Sequence, residues 1–330
     1  MTFSHRLAAG ILLLTSFLGA PALERLARTP YVGAIVVDAE DGRVLFEDRA
    51  DERGYPASVT KLVTLAVVLD EIAAGRISRD DRITVTAEVA GIGGSQVYLK
   101  QGEVFPVDDL LYALMIASAN DAAVALANHV GGTRAAFVAK MNAKAQALGL
   151  TRTVFQSPHG LPPGRGQLPD ISTARELAVL ARAALQDPAT LRYTSVRVRT
   201  LRELSASPFV MTNHNHLLGR LEGCDGLKTG YFSAAGSSIA VTAQRGGRRV
   251  IAVVLGTEGS KARDLKAMEL VEKGFAALAV PVGPGEAGPA AGGDLPTVRT
   301  ERAVGPAPEQ ASTPDEPLIK FTPPAPRRSP

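Results

Sequence analysis

The stretch Tyr55-Pro56-Ala57-Ser58-Val59-Thr60-Lys61 turns a loop into a helix at a serine, and it narrows the possible folds more than any other feature of the chain. Pro56 disfavours helix in the residue before it and suits a helix start. From Leu62 onward, Leu65, Ala66, Leu69 and Ile72 recur at three- and four-residue steps, which marks one buried face, and Gly75 is the expected stop. This puts Ser58 in the first helical turn, where backbone N–H groups lack intrahelical partners and the macrodipole is positive. Lys61 lies three residues on, on the same face, within reach of the hydroxyl. A serine with an amine beside it at a helix N-terminus is an arrangement that activates a nucleophile. Alone the pattern is weak. Ser-x-x-Lys turns up by chance roughly once in a chain of this length, and a capping serine with a surface lysine accounts better for a solitary occurrence.

The order of elements around this stretch predicts an α/β protein of the α+β kind. His5 and Arg6 precede an apolar run from Leu7 to about Leu18, and Ala20-Pro21-Ala22 offers small residues where a signal peptidase reads. Residues 1–22 therefore read as a cleaved export signal; the run is short for a membrane anchor, which needs about 18–20 apolar residues. No cysteine follows it, so a lipoprotein is excluded. Tyr31 to Asp38 is strand-like, and Asp41-Gly42 turns it back into Arg43–Glu47 as a hairpin. Residues 76–185 read as a mainly helical insertion: Leu110–Ala117, a helix capped by Asp121 and running to His129, another from Thr133 to Leu148, and one opened by Ser172 and running to Leu185. The sheet resumes with Val196–Leu201, Asp225–Phe232, Ser237–Ala243 and Val250–Leu255, the last two joined at Gly246-Gly247. An amphipathic helix over 261–278 packs on it. From about Pro281 the composition shifts to proline, alanine and glycine, which cannot bury a core, so residues 281–330 read as a disordered tail and 23–280 as the catalytic domain.

An apolar content of 45% is ample for a large core. The formal charge of +3 is small, and no basic stripe with interleaved aromatics appears, which excludes nucleic acid as an expected partner. Cys224 is the single cysteine, so no internal disulfide can form.

The chemistry gathers in three triplets, Ser58-x-x-Lys61, Ser118-Ala119-Asn120 and Lys228-Thr229-Gly230, in the order that penicillin-binding proteins and class A β-lactamases share. Acyl transfer needs a nucleophile, a base, an oxyanion site and groups that orient the substrate. Ser58 supplies the hydroxyl. Lys61 can accept its proton if burial and a second cation lower its pKa. Ser118, at a break between helices, can relay a proton to the leaving amine, and Asn120 can hold a substrate amide. Lys228 and Thr229, at the start of a strand, can hold a substrate carboxylate; Gly230 admits close backbone approach. The N–H groups of Ser58 and Tyr231 then form the oxyanion hole.

These triplets and their surroundings resemble the serine-type D-alanyl-D-alanine carboxypeptidases, the low-molecular-mass penicillin-binding proteins of bacterial wall metabolism. Ser118-Ala119-Asn120-Asp121-Ala122-Ala123, Ser157-Pro158-His159-Gly160-Leu161, Ser172-Thr173-Ala174-Arg175, Thr212-Asn213 and Asp225-Gly226-Leu227-Lys228-Thr229-Gly230-Tyr231 extend the likeness over about Tyr31 to Leu278. The resemblance implies an antiparallel sheet flanked by helices with a helical subdomain, a peptidoglycan stem peptide as substrate, an acyl-enzyme on Ser58, β-lactams as covalent inhibitors, and no metal or cofactor. Many members carry a second all-β domain and a C-terminal amphipathic helix that grips the membrane; the proline-rich tail stands in place of both, so no stable anchor is expected.

Alternatives remain open at this level. A peptidoglycan DD-endopeptidase shares the motifs. A class A-like β-lactamase needs a glutamate to activate the deacylating water, and Glu176, the obvious candidate, reads as solvated on a regular amphipathic helix. A catalytically inactive wall-peptide binder would normally have lost the serine or lysine. His214 and His216 alternate as on one face of a strand, near Cys224, but no fourth metal ligand is evident and the pair reads as structural. Cys224 reads as a small hydrophobe, His159 as a loop-shaping residue, and Arg327 and Arg328 as charges that can touch an anionic wall.

Overall fold

The strands β1 (Gly33–Asp38) and β2 (Val44–Asp48) form the expected hairpin, its turn held by the Arg43 amide donating to Asp41 Oδ1 at 2.8 Å. The structure is a computed structural model that describes residues 23–164 and 166–279; the expected export signal over 1–22 and the expected tail over 281–330 lie outside the described residues. A 3-10 turn, Ala57–Thr60, then leads into α1 (Lys61–Ala73), so the serine sits one turn ahead of the α-helix proper. The helical region follows: β3 (Arg82–Thr84), α2 (Ala87–Ala90), β4 (Val104–Pro106), α3 (Val107–Ile116), α4 (Asn120–Gly131), α5 (Arg134–Ala147), α6 (Ala174–Ala184) and α7 (Ala189–Thr194). The chain closes with β5 (Val198–Leu201), β6 (Phe209–Thr212), β7 (Cys224–Phe232), β8 (Gly236–Arg245), β9 (Arg248–Thr257) and α8 (Ser260–Ala279).

Five strands make one antiparallel sheet in the order β2-β1-β9-β8-β7. Helices cover both faces, which is why β9 reads Val-Ile-Ala-Val-Val-Leu instead of alternating polar and apolar. Successive side chains still go to opposite sides. Ile35, Val37, Ile251, Val253 and Leu255 join the core shared with α1 and α6, whereas Ala34, Val36, Val250, Ala252 and Val254 pack with Ala267, Leu270 and Val271 of α8. Each large aliphatic so buried contributes about 1.5–3 kcal/mol. The sheet so covered carries β7 at one edge, where it packs against the serine turn.

Several local expectations are revised. Val198–Leu201 does not rejoin the main sheet; it pairs with β6 as a separate ribbon. Short strand propensity says nothing about which partner a strand finds. Asp121 does not cap α4, whose N-cap is Ala119; its buried carboxylate accepts the amides of Val97 and Leu99 and so ties the 93–99 loop to the start of the helix. Thr173, not Ser172, caps α6, accepting the Glu176 amide at 3.1 Å. Glu176 is buried, not solvated: its carboxylate accepts from the Arg152 amide at 2.9 Å and from the Thr153 hydroxyl. No helix among the described residues is long and apolar enough to cross a membrane.

Candidate active site

The end of the serine turn, the start of α4, the 157–160 loop and the middle of β7 converge. Ala57 has a φ of 48°, a conformation non-glycine residues rarely adopt, and it delivers Ser58 to the tip of the turn. Ser118 is similarly held, with φ 56°, in the break between α3 and α4. Such strain persists where surrounding structure overdetermines it, and it is concentrated at working sites.

Lys61 is completely buried, and its Nζ contacts Ser58 Oγ at 2.9 Å, Asn120 Oδ1 at 2.7 Å and the His159 carbonyl at 2.7 Å. Burial holds its pKa well below the usual lysine range, with the nearby Lys228 charge adding to the effect and Asp170 and Asp121 opposing it. The partner set matches a neutral amine. Asn120 Oδ1 and the His159 carbonyl can only accept, so they take two N–H groups, and a deprotonated amine then has its lone pair left for the third contact, the Ser58 hydroxyl. Asn120 is itself oriented by its Nδ2 donating to the Gly93 carbonyl at 2.8 Å.

Lys228 sits in the middle of β7, not at its start, and is buried with its Nζ donating to the Thr229 carbonyl at 2.9 Å. Burial, aided by the Arg263 guanidinium, lowers its pKa to about 7. Neither the Thr229 nor the Ser118 hydroxyl has a hydrogen-bond partner among the described residues, although both residues are buried. At Gly230 the space of a side chain is filled by the Pro56 carbonyl at 2.5 Å and the Ser58 and Val59 amides at 3.0 Å, so glycine here lets β7 close on the serine turn. Tyr231 follows, 65% exposed, at the mouth.

Sequence reasoning missed three contributors. The His159 carbonyl is a backbone group and leaves no signature in residue type. Arg263 is buried on α8, paired with Asp264, and a helical arginine ordinarily reads as surface. Asp170 accepts from Gln156 N, Ser157 N, Ser157 Oγ and Thr60 Oγ1, bracing the 157–160 loop against the serine turn; burial raises its pKa to about 6 despite those bonds. Gly160, with φ 77°, packs so closely on Ala57 that an added Cβ would collide with the Ala57 carbonyl. Gly160→Ala is therefore expected to cost more than about 2 kcal/mol and to slow acylation of Ser58 at least tenfold, read by thermal melting and by penicillin labelling.

His214 and His216 lie in a loop, not a strand, because buried Asn213 and Asn215 point inward and throw the histidines out. No group of three His, Cys, Asp or Glu suited to a metal occurs among the described residues. Cys224 is partly buried, its thiol pushed up to about 11 chiefly by burial.

The family model for D-alanyl-D-alanine carboxypeptidase matches residues 29–259. The chain is 34% identical over 274 residues to the D-alanyl-D-alanine carboxypeptidase DacF of Bacillus subtilis, covering 82% of this chain and 69% of that protein. It is 37% identical over 283 residues to DacC of Escherichia coli, covering 82% and 68%. Penicillin-binding protein D2 of Listeria monocytogenes, solved with ampicillin bound, superposes with a TM-score of 0.66 at 33% identity over 74% of this chain and 98% of that one. With the serine, the buried amine and the edge strand assembled as described, the chain belongs to the D-alanyl-D-alanine carboxypeptidase family of serine peptidases.

Proposed function

We propose that this enzyme removes the terminal D-alanine from peptidoglycan pentapeptides through an acyl-enzyme on Ser58. The observation that carries the mechanism is the completely buried Lys61 Nζ at 2.9 Å from Ser58 Oγ, its other two contacts, Asn120 Oδ1 and the His159 carbonyl, being obligate acceptors. In this reading the substrate's terminal carboxylate lies at Lys228 and Thr229, with the Arg263 charge behind them, and Asn120 orients the peptide. Ser58 Oγ attacks the carbonyl of the scissile amide as its proton passes to Lys61. The oxyanion is met by the backbone N–H groups of Ser58 and Tyr231. The C–N bond then breaks, a proton reaches the leaving D-alanine amine by way of Ser118, and water hydrolyses the ester in a second step. Penicillins enter as mimics of the same substrate, supported by the ampicillin complex of the Listeria relative. The work takes place on the exported, cell-wall face of the envelope, a reading supported by residues 1–22 and by the wall enzymes among the relatives.

Glu176 does not supply a β-lactamase's water-activating carboxylate in this reading, because Arg152 and Thr153 occupy it. The test is product analysis by mass spectrometry on defined pentapeptide muropeptides and crosslinked dimers, with Ser58→Ala alongside. Loss of one alanine from the pentapeptide is the expected result. Cleaved dimers with intact pentapeptide ends would identify an endopeptidase instead, and no change in either substrate would overturn the reading.

A further inference from the structure

The loop that holds Lys61 has a second side. The His159 carbonyl faces the Lys61 amine, while His159 also lines a separate cleft of about 450 Å³ between residues 156–163 and 167–170 on one side and the first turn of α5 on the other. Neither Ser58, Lys61 nor Lys228 lines this cleft.

Three features there favour a negative charge. His159 is only 7% exposed, and its Nδ1 accepts the Leu161 amide at 3.1 Å. The ring stays neutral, its pKa lowered to about 3 chiefly by burial, and because Nδ1 accepts, the single proton sits on Nε2. That Nε2–H has no hydrogen-bond partner among the described residues. α5 is 14 residues long, and its N-cap Thr133 satisfies the Ala136 amide, leaving the amides of Arg134 and Ala135 at the positive end of the helix. Arg134 itself lines the cleft; its pair with Glu88, 3.3 Å long and half exposed, is too weak to claim the whole guanidinium. The one carboxylate in the lining, Asp170, is turned into the loop and occupied by four donors. Gln156 and the apolar Leu161 flank these groups, which suits a peptide better than a bare ion.

We propose that this cleft is a second binding site, distinct from the Lys228 end of the active site, that takes a carboxylate of an acidic peptide between the Arg134 guanidinium, the α5 N-terminus and His159 Nε2–H. The same residue's carbonyl accepts from Lys61 Nζ on the other side of the loop.

The test uses the full chain and N-acetyl-L-alanyl-γ-D-glutamate as probe, with its diamide and inorganic phosphate as controls, followed by NMR at the His159 ring and the Gln156 side-chain amide. Acylation of Ser58 by benzylpenicillin is measured in parallel, so that failure of the catalytic reading registers separately. The expected result is saturable movement of both signals with the dicarboxylate, none with the diamide, and at least fivefold weaker binding in Arg134→Gln with penicillin acylation unchanged. Still cleft signals, equal binding of the diamide, or an indifferent Arg134→Gln variant would each overturn the site. Phosphate binding as tightly as the peptide would overturn its assignment to a peptide carboxylate.

Discussion

Lys61→Arg is expected to reduce acylation of Ser58 by about 10³-fold or more, although it preserves a positive charge at the same place. A guanidinium stays protonated at any pH the protein tolerates and has no lone pair to take the serine's proton. It also brings additional N–H groups to a pocket whose two acceptors, Asn120 Oδ1 and the His159 carbonyl, are already matched to an amine. The pH profile gives the sharper reading. Since burial and Lys228 hold the Lys61 pKa well below that of a free lysine, acylation by the wild-type enzyme rises with pH as the amine loses its proton and reaches its plateau before a free lysine would titrate. The variant loses that limb altogether. Stopped-flow acylation by a chromogenic cephalosporin across pH checks both points; a variant within tenfold of wild type, or one that keeps the limb, would refute the assignment of Lys61 as base.

Lys228→Met is expected to make the enzyme more stable and a worse carboxypeptidase. The folded pKa of about 7 lies below the value of about 10.4 in an unfolded chain, so between those values the unfolded state binds more protons. Stability therefore rises with pH through that window, and below pH 7 the full cost of a buried charge is borne. Methionine fills similar space without the charge, and the melting temperature at pH 6 is expected to rise by several degrees while the pH slope above 7 flattens. The loss is in substrate recognition. Removing one charge-assisted contact to the terminal carboxylate lowers kcat/KM between about tenfold and a hundredfold, and the preference for a free carboxylate over a C-terminal carboxamide shrinks with it. Calorimetry at several pH values and kinetics on the two peptides check the prediction. A variant that melts lower at pH 6 would show that the charge stabilises this core.

What could be read from residues alone follows physical lines. Ser58 and Lys61 come together because three residues separate them on one helical surface, and that relation needs no tertiary knowledge. The apolar runs of β8 and β9 and the Gly246-Gly247 turn between them place a hairpin correctly because that signal too is local. Other features depended on partners far along the chain. The strand character of Val198–Leu201 was visible, but its partner was not. Glu176 looked solvated because a helical wheel cannot show the Thr153 loop folding over it. The contacts of His159 and Arg263 with the site are invisible in composition: one acts through its carbonyl, the other from a helix 35 positions beyond Lys228.

The serine turn is squeezed between two glycines, Gly160 on one flank and Gly230 on the other, each occupying ground that a methyl group would contest with the turn's own backbone. The backbone that carries the serine is thereby part of the pocket wall. A mutation that narrows the pocket beside the nucleophile would displace the nucleophile itself before it excluded a bulky inhibitor. Changes that spare the turn are left to the mouth, where the Tyr231 side chain is exposed.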